Sequence, residues 1–255
     1  MGLKGKLDIK DYFGEVVPVT DPACCKPLHL YRNISMMAVT YETDYESVAD
    51  MLPKELEFAN DPPQVTVMVS DLSFSNLGEY GEAFLIFAAK YKGKDINYVP
   101  NLFVTQEVPL IAGREIWGFP KKLAKIDIVH QRNQFFGVIE RPTGNRLFDI
   151  IVSPEVNLKA SDWVHKDSVV IKQIPRSDGK ALEVCKLVGV DYHLSPVVGT
   201  DGIAEFWSGT GSLTFHAMSN DDPWHKAKVN KVVSAVCGKF NISLPYGYDV
   251  LDYLK

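Results

Sequence analysis

The chain has 255 residues, of which 46% are hydrophobic and 23% charged, a composition typical of a folded globular protein and not of a disordered one. Its net charge of −5 argues against a surface that binds nucleic acid or anionic membranes. No apolar stretch approaches the roughly 18 residues of a membrane span, and the N-terminus lacks the apolar segment of a signal peptide. We therefore expect a cytoplasmic protein.

Strand-like segments dominate the first two thirds of the chain. Residues 64–70 (QVTVMVS) alternate strictly between valine and other side chains, as a half-buried strand does. Further strands are predicted over 34–41, 83–91, 135–139 and 147–152. The sequence PTGN at 142–145 predicts a hairpin turn between the last two.

Helices are predicted at two places. The first covers 43–51, with a Thr or Asp cap at its start and Pro53 to stop it. The second opens at Asp222-Pro223 and closes at Gly238. Its apolar face would carry Val229, Val232, Val233 and Val236.

The order of these elements favours one α+β domain spanning 1–255. Strands are followed by a few helices without regular βαβ alternation, which indicates a mainly antiparallel sheet. No linker or repeat marks a boundary. The glycine-rich segment 208–212 (SGTGS) lacks the lysine and helix context of a phosphate-binding loop, so we predict a turn there.

Common catalytic and metal-binding signatures are absent from the sequence. There is no serine-hydrolase elbow, no zinc-protease motif and no nucleotide-binding glycine loop. The six histidines lack ligand spacing, and the four cysteines form neither a zinc motif nor a disulfide framework. No metal site is predicted.

The segment 109–125 (PLIAGREIWGFPKKLAK) carries two adjacent lysines in an apolar setting. Burial and a second nearby cation both lower the pKa of a lysine ammonium. A neutral amine is the nucleophile that attacks a ketone to form a Schiff base. Paired lysines also occur in solvated turns, so the residues alone leave both interpretations open.

The same segment resembles the signature GRE-x3-(aromatic)-PKKL of the acetoacetate decarboxylase family, an established example of catalysis by an activated lysine. Shorter matches occur in the family's order along the chain. They are YETD at 41–44 followed by Leu52-Pro53, GEYGE at 78–82, and the C-terminal 248–255 ending in DYLK.

The resemblance implies a role for each matching residue. Lys121 would be the Schiff-base lysine, with Lys122 as its neighbour, and Glu82 would be the acidic residue of the site. Arg114 and Glu115 would form a structural ion pair that orders the lysine turn. Substrate would contact an apolar wall built from Trp117, Phe119 and Val67.

Two positions depart from the family's pattern. The decarboxylases carry an arginine where this chain has Ile34, and the nearby Arg32 would have to replace it as a substrate contact. They also carry a second glutamate where this chain has Val67. Losing both polar groups should change how a substrate carboxylate is held and expelled.

The resemblance also implies a fold and a chemistry. The fold would be a cone-shaped, mainly antiparallel β-barrel that encloses the active site, with peripheral helices, in a homo-oligomer. No cofactor would be needed, because the lysine iminium is itself an electron sink. The partner would be a small keto acid or another carbonyl compound, and neither nucleic acid nor membrane.

Three activities are consistent with these observations. The first is decarboxylation of a 3-oxo acid, such as acetoacetate, to a ketone and carbon dioxide. The second is an aldolase-dehydratase reaction that condenses a 2-oxo acid with an aldehyde through the same lysine. The third is a non-catalytic barrel that only binds a ligand.

Overall fold

The computed structural model describes residues 2–11 and 16–255, and most of them lie in β-strands. Fifteen strands are found within these ranges: β1 (His29–Glu42), β2 (Glu57–Phe58), β3 (Gln64–Leu72), β4 (Tyr80–Tyr91), β5 (Lys94–Val104), β6 (Lys121–Leu123), β7 (Lys125–Gln131), β8 (Gln134–Glu140), β9 (Arg146–Asn157), β10 (Ser168–Pro175), β11 (Leu182–Val190), β12 (Ser195–Pro196), β13 (Phe206–Phe215), β14 (Lys231–Leu244) and β15 (Tyr248–Asp252).

Helical segments are short. The α-helices are α1 (Tyr45–Val48) and α2 (Glu107–Ala112), and α2 runs on into a π-helical turn (Gly113–Trp117). The described part of the chain also contains four 3-10 segments: Ile9–Asp11, Ala49–Met51, Ala160–Asp162 and Pro223–Lys226. No helix in the described ranges is both long and apolar enough to cross a membrane.

The strands form one mixed sheet in the order β15-β11-β10-β5-β4-β3-β1-β14-β13-β9-β8-β7. The short strands β2, β6 and β12 pair with β4, β5 and β14, respectively. Pairing is antiparallel except where β5 meets β10 and β6. The α+β class is confirmed. The two end strands, β15 and β7, are not paired with each other among the described residues, so the closure expected of a barrel is not observed.

The strands bury side chains on both of their faces, which produces two apolar cores. On β3, Val65, Val67 and Val69 point into the first core, whereas Met68 and Leu72 point into the second. This division follows from the two-residue period of a strand. The site described below lies in the second core.

Most of the predicted elements are confirmed. Each of the five predicted strands lies within β1, β3, β4, β8 or β9, and the first predicted helix corresponds to α1 with the 3-10 turn that follows it. The predicted hairpin turn joins β8 to β9. There the amide of Asn145 donates to the carbonyl of Pro142 at 2.9 Å, and Gly144 has a φ of +91°.

The second predicted helix was wrong. Only the 3-10 segment Pro223–Lys226 is helical, and β14 begins at Lys231. In β14, Val232 and Val233 are exposed, whereas Ala235 and Cys237 are buried in alternation. The valine-rich sequence suits a strand packed between neighbours, and pairing with β1 and β13 decides its conformation.

The turn predicted over 208–212 was also wrong, because this segment lies inside β13. Its glycines permit a close approach of neighbouring strands. A Cβ on Gly209 would lie 1.9 Å from the carbonyl oxygen of Ser153, and one on Gly211 would lie 2.4 Å from Cβ of Ala235.

We predict that Gly209→Ala lowers the free energy of unfolding by about 2 kcal/mol or more, because the overlap with backbone is relieved only by moving β9 away from β13. Urea denaturation monitored by circular dichroism measures this change. Gly5→Ala is the control, since nothing lies within 4 Å of its Cβ position, and it should change stability by less than about 0.5 kcal/mol. Equal stabilities for the two variants would contradict the packing argument.

Candidate active site

A small cavity lies in the second core. Its volume is about 40 Å³, so only a small molecule can occupy it. The lining residues are Tyr31, Met36, Met68, Ser70, Leu72, Tyr80, Glu82, Phe84, Leu102, Phe119, Lys121, Tyr192, Leu194, Ile242 and Leu244. Among these, Lys121 is the only cation and Glu82 the only carboxylate.

Lys121 and Glu82 form a buried ion pair in this cavity. Nζ lies 2.6 Å from Oε1, and each side chain is less than a tenth exposed. Nζ also lies 5.7 Å from the ring centroids of both Tyr80 and Phe119. Burial raises the pKa of Glu82, and the charge of Lys121 opposes that rise. The raised pKa makes the Glu82 carboxylate a stronger base than an exposed glutamate.

Strand register brings the site residues together from distant parts of the sequence. Ser70 on β3 lies opposite Glu82 on β4, Phe84 lies opposite Leu102 on β5, and Leu102 lies beside Lys121 on β6. The two-residue period of β4 also places Tyr80 on the same face as Glu82.

The turn before β6 supports Lys121 through close backbone packing. A Cβ on Gly113 would lie 2.5 Å from Cδ and Cε of Lys121, so only glycine leaves room for the lysine side chain. The amides of Gly118 and Phe119 both donate to the carbonyl of Gly113 at 3.0 Å. Gly118 has a φ of +88°, which glycine adopts without strain.

Arg114 orders the lysine turn, but through a backbone contact. Its Nη1 donates to the carbonyl oxygen of Lys121 at 3.2 Å. We expected a structural ion pair with Glu115, and the contact observed is instead this hydrogen bond. The arginine therefore fixes the backbone of the residue whose side chain enters the cavity.

The structure does not bring Lys122 to the cavity. Adjacent residues of a strand point to opposite faces, and Lys122 lies on the face of Phe103, beside the first core. Its Nζ pairs with Asp222 at 3.0 Å and also donates to the carbonyl of Asp221. Adjacency in sequence thus does not place the second ammonium beside the first.

The two aromatic residues before the lysines have different positions. Phe119 lines the cavity. Trp117 packs behind it, with ring centroids 6.2 Å apart, and donates from Nε1 to the carbonyl of Pro245 at 2.9 Å. Trp117 therefore supports the cavity wall without lining it.

Comparisons with known proteins identify the family. The sequence model described as Acetoacetate decarboxylase (ADC) matches residues 16–254. An acetoacetate decarboxylase from Chromobacterium violaceum is 30% identical over 244 residues, covering 94% of this chain and 95% of that one. The chain belongs to the acetoacetate decarboxylase family. It is an enzyme of the carboxy-lyase class.

Solved structures show that the fold is shared. The crystal structure of acetoacetate decarboxylase from Legionella pneumophila matches with a TM-score of 0.85 over 100% of both chains, at 24% identity. The enduracididine biosynthesis enzyme MppR, complexed with the condensation product of pyruvate and imidazole 4-carboxaldehyde, matches with a TM-score of 0.76 at 19% identity. That match covers 99% of this chain and 100% of MppR.

Two further residues that were expected to contact substrate, Arg32 and Val67, also lie outside the cavity lining. The guanidinium of Arg32 donates from Nη1 to the carbonyls of Tyr31 and Ile242, at 2.9 and 2.8 Å. Val67 points into the first core, because Met68 and Ser70 take the cavity face of β3. Position 67, which corresponds to the family's second glutamate, therefore lies on the face of β3 opposite the cavity.

The polar residues that sequence analysis missed are mainly tyrosines. Tyr31, Tyr80 and Tyr192 all line the cavity. Burial is the main cause that raises the pKa of each phenol, and the charge of Glu82 raises it further, so all three are neutral donors. Tyr80 could have been found from its two-residue spacing to Glu82, whereas nothing local in the sequence indicates the other two.

We predict that Lys121→Met lowers stability more at about pH 7.5 than at about pH 4.5. Without the lysine, the pKa of buried Glu82 stays above its unfolded value of about 4.3, so its favourable contribution is present below that pH and is lost as pH rises. Removing one partner of a buried pair costs about 3–5 kcal/mol near neutral pH. Urea denaturation at the two pH values measures the difference.

The control is the double variant Lys121→Met/Glu82→Gln, which has no carboxyl group at position 82. Its stability should lack the additional loss between the two pH values. If both variants respond identically to pH, Glu82 is not the group that titrates.

Proposed function

We propose that the protein decarboxylates a small 3-oxo acid, such as acetoacetate, through a Schiff base on Lys121. The observation that carries this proposal is the contact between the Lys121 ammonium and the Glu82 carboxylate, which are the one cation and the one carboxylate among the described residues that line a small apolar cavity. Membership of the acetoacetate decarboxylase family supports it.

The first step is the generation of a nucleophile. The Lys121 ammonium passes a proton to the Glu82 carboxylate across the contact between Nζ and Oε1, which lie 2.6 Å apart, giving a neutral amine and a neutral carboxylic acid. Burial favours this change, because it removes two charges from an environment of low polarity. The raised pKa of Glu82 makes it a base of suitable strength.

The amine then forms a carbon–nitrogen bond to the keto carbon of the substrate. The carbonyl oxygen takes up protons and leaves as water, and Glu82 returns its proton so that the product is a cationic iminium. The bond between the α-carbon and the carboxylate breaks, carbon dioxide leaves, and the electron pair forms an enamine. Protonation at carbon and hydrolysis by water release the ketone and regenerate the Lys121 ammonium.

The apolar lining favours the bond-breaking step. Decarboxylation converts an iminium and a carboxylate into a neutral enamine and carbon dioxide, so charge disappears in the transition state. The side chains of Met36, Met68, Phe84 and Leu102 solvate that charge poorly. An environment that stabilises the charged ground state less than the neutral products lowers the barrier.

The alternative is an aldolase-dehydratase reaction through the same iminium. It is favoured by the fold shared with MppR, whose complex holds a condensation product of pyruvate and an aldehyde. Ile34 in place of the family's arginine is consistent with either reaction. A purely ligand-binding barrel would have no need of the buried lysine–glutamate pair. A homo-oligomer, a cytoplasmic location and independence of cofactors stay predictions.

We predict that borohydride reduction in the presence of acetoacetate traps the iminium on Lys121 as a secondary amine that carries the keto carbon of the substrate. Peptide mass spectrometry locates the adduct. Lys121→Ala should lose adduct and at least about 10³-fold in decarboxylation rate, and Glu82→Gln should lose about 10²–10⁴-fold.

Lys122→Ala is the matched control, because its ammonium lies on the opposite strand face, and it should keep the adduct. Carbon dioxide release is measured alongside the products formed from pyruvate and an aldehyde. An adduct on Lys122 would contradict the assignment of the lysine. Trapping of pyruvate with carbon–carbon bond formation, and no carbon dioxide from 3-oxo acids, would establish the alternative.

A further inference from the structure

A β-bulge in β1 determines which side chain enters the cavity beside Lys121. Tyr31 pairs with Ile242 and Ile34 pairs with Phe240, so two residues of β1 oppose one residue of β14. Asn33, inside the bulge, has a φ of +54°. The extra residue reverses the alternation of side chains along the strand.

Because of this reversal, the side chain of Tyr31 and not that of Arg32 faces the cavity. In a regular strand, position 32 would share a face with Ile34 and Met36. Because of the bulge, Tyr31 shares that face instead and lies in the second core with them, only 2% exposed. The guanidinium of Arg32 is turned away to backbone carbonyls.

The hydroxyl of Tyr31 accepts a hydrogen bond but donates none to the other described residues. The hydroxyl of Tyr80 donates to it at 3.1 Å. Within the described part of the chain, the Tyr31 hydroxyl hydrogen has no acceptor of its own. A buried polar hydrogen without a partner costs free energy, which an acceptor on a bound ligand would recover.

No second positive charge lines the cavity among the described residues, so a substrate carboxylate must be held by neutral donors. Burial and the charge of Glu82 both raise the pKa of Tyr31, which keeps this phenol protonated. Donation from Tyr80 to Tyr31 polarises the Tyr31 hydroxyl and strengthens its own hydrogen bond to an anion.

We propose that Tyr31, supported by Tyr80, binds the carboxylate of the substrate in place of an arginine. This inference rests on the proposed function and identifies the carboxylate subsite of the same cavity. A phenol holds the carboxylate without the ion pair that a guanidinium would form. It therefore positions the group that leaves as carbon dioxide while stabilising its negative charge less than an arginine would.

The test compares a carboxylate probe with a neutral one in Tyr31→Phe. The neutral probe is 2,4-pentanedione, which forms a Schiff-base-derived enamine on a reactive lysine and absorbs in the ultraviolet. There are two carboxylate probes. The use of acetoacetate is measured by its rate of decarboxylation. The binding of butyrate is measured by how well it protects the lysine from reaction with 2,4-pentanedione.

Tyr31→Phe should lower kcat/KM for acetoacetate and weaken butyrate protection by about 10- to 100-fold, the loss expected for one hydrogen bond to a charged group. Its reaction with 2,4-pentanedione should stay near that of the wild type, which also shows that the variant is folded. Tyr80→Phe should show a smaller loss that is selective in the same way.

Tyr192→Phe is the comparison variant, because its hydroxyl is already paired with Ser168 at 2.7 Å. It should affect charged and neutral probes alike. The proposal is overturned if Tyr31→Phe leaves butyrate protection unchanged, or if it weakens reaction with 2,4-pentanedione as much as with acetoacetate.

Failure of the proposed function gives a different result. Wild-type protein would then form no adduct with 2,4-pentanedione. If wild-type protein forms that adduct but does not decarboxylate acetoacetate, butyrate protection still decides the role of Tyr31.

Discussion

The ion pair between Lys121 and Glu82 is the interaction on which the organisation of the cavity depends. Two charges buried from water are tolerated only when they lie in contact, and here Nζ and Oε1 are 2.6 Å apart. Register across β3, β4, β5 and β6 holds them there, and Gly113 leaves the space that the lysine stem fills. The same two groups are the amine and the acid–base group on which the proposed function depends.

The surroundings of the pair are apolar, with neutral hydroxyl groups as the other polar components. Three buried phenols lie near Glu82, and burial keeps each of them protonated. A cavity with one cation, one carboxylate and several neutral donors suits a reaction that begins with charged species and passes to neutral ones. The bulge in β1, which turns Arg32 away and Tyr31 inward, is the local feature that removes a second cation.

Local sequence patterns predicted much of the fold, and the exceptions have physical causes. The alternating valines of 64–70 and the turn at 142–145 depend on neighbours in sequence, so both were found. The segment from Lys231 onward carries apolar residues at spacings that fit a helix or a strand, and only pairing with β1 and β13 selects the strand. The glycines of 208–212 resemble a turn until β9 is seen to approach them closely.

The sequence by itself determined the family and predicted Lys121 and Glu82 as partners in one site, because the GRE-x3-F-PKKL segment and GEYGE are local and specific. The structure places these two side chains in contact. It did not determine which neighbours share the cavity. The side chains of Lys122 and Val67 point to the other face through the two-residue period of a strand. Arg32 is turned away by one extra residue in β1, and Tyr31 takes its place. These outcomes depend on register and on a bulge, which arise only when distant strands pair.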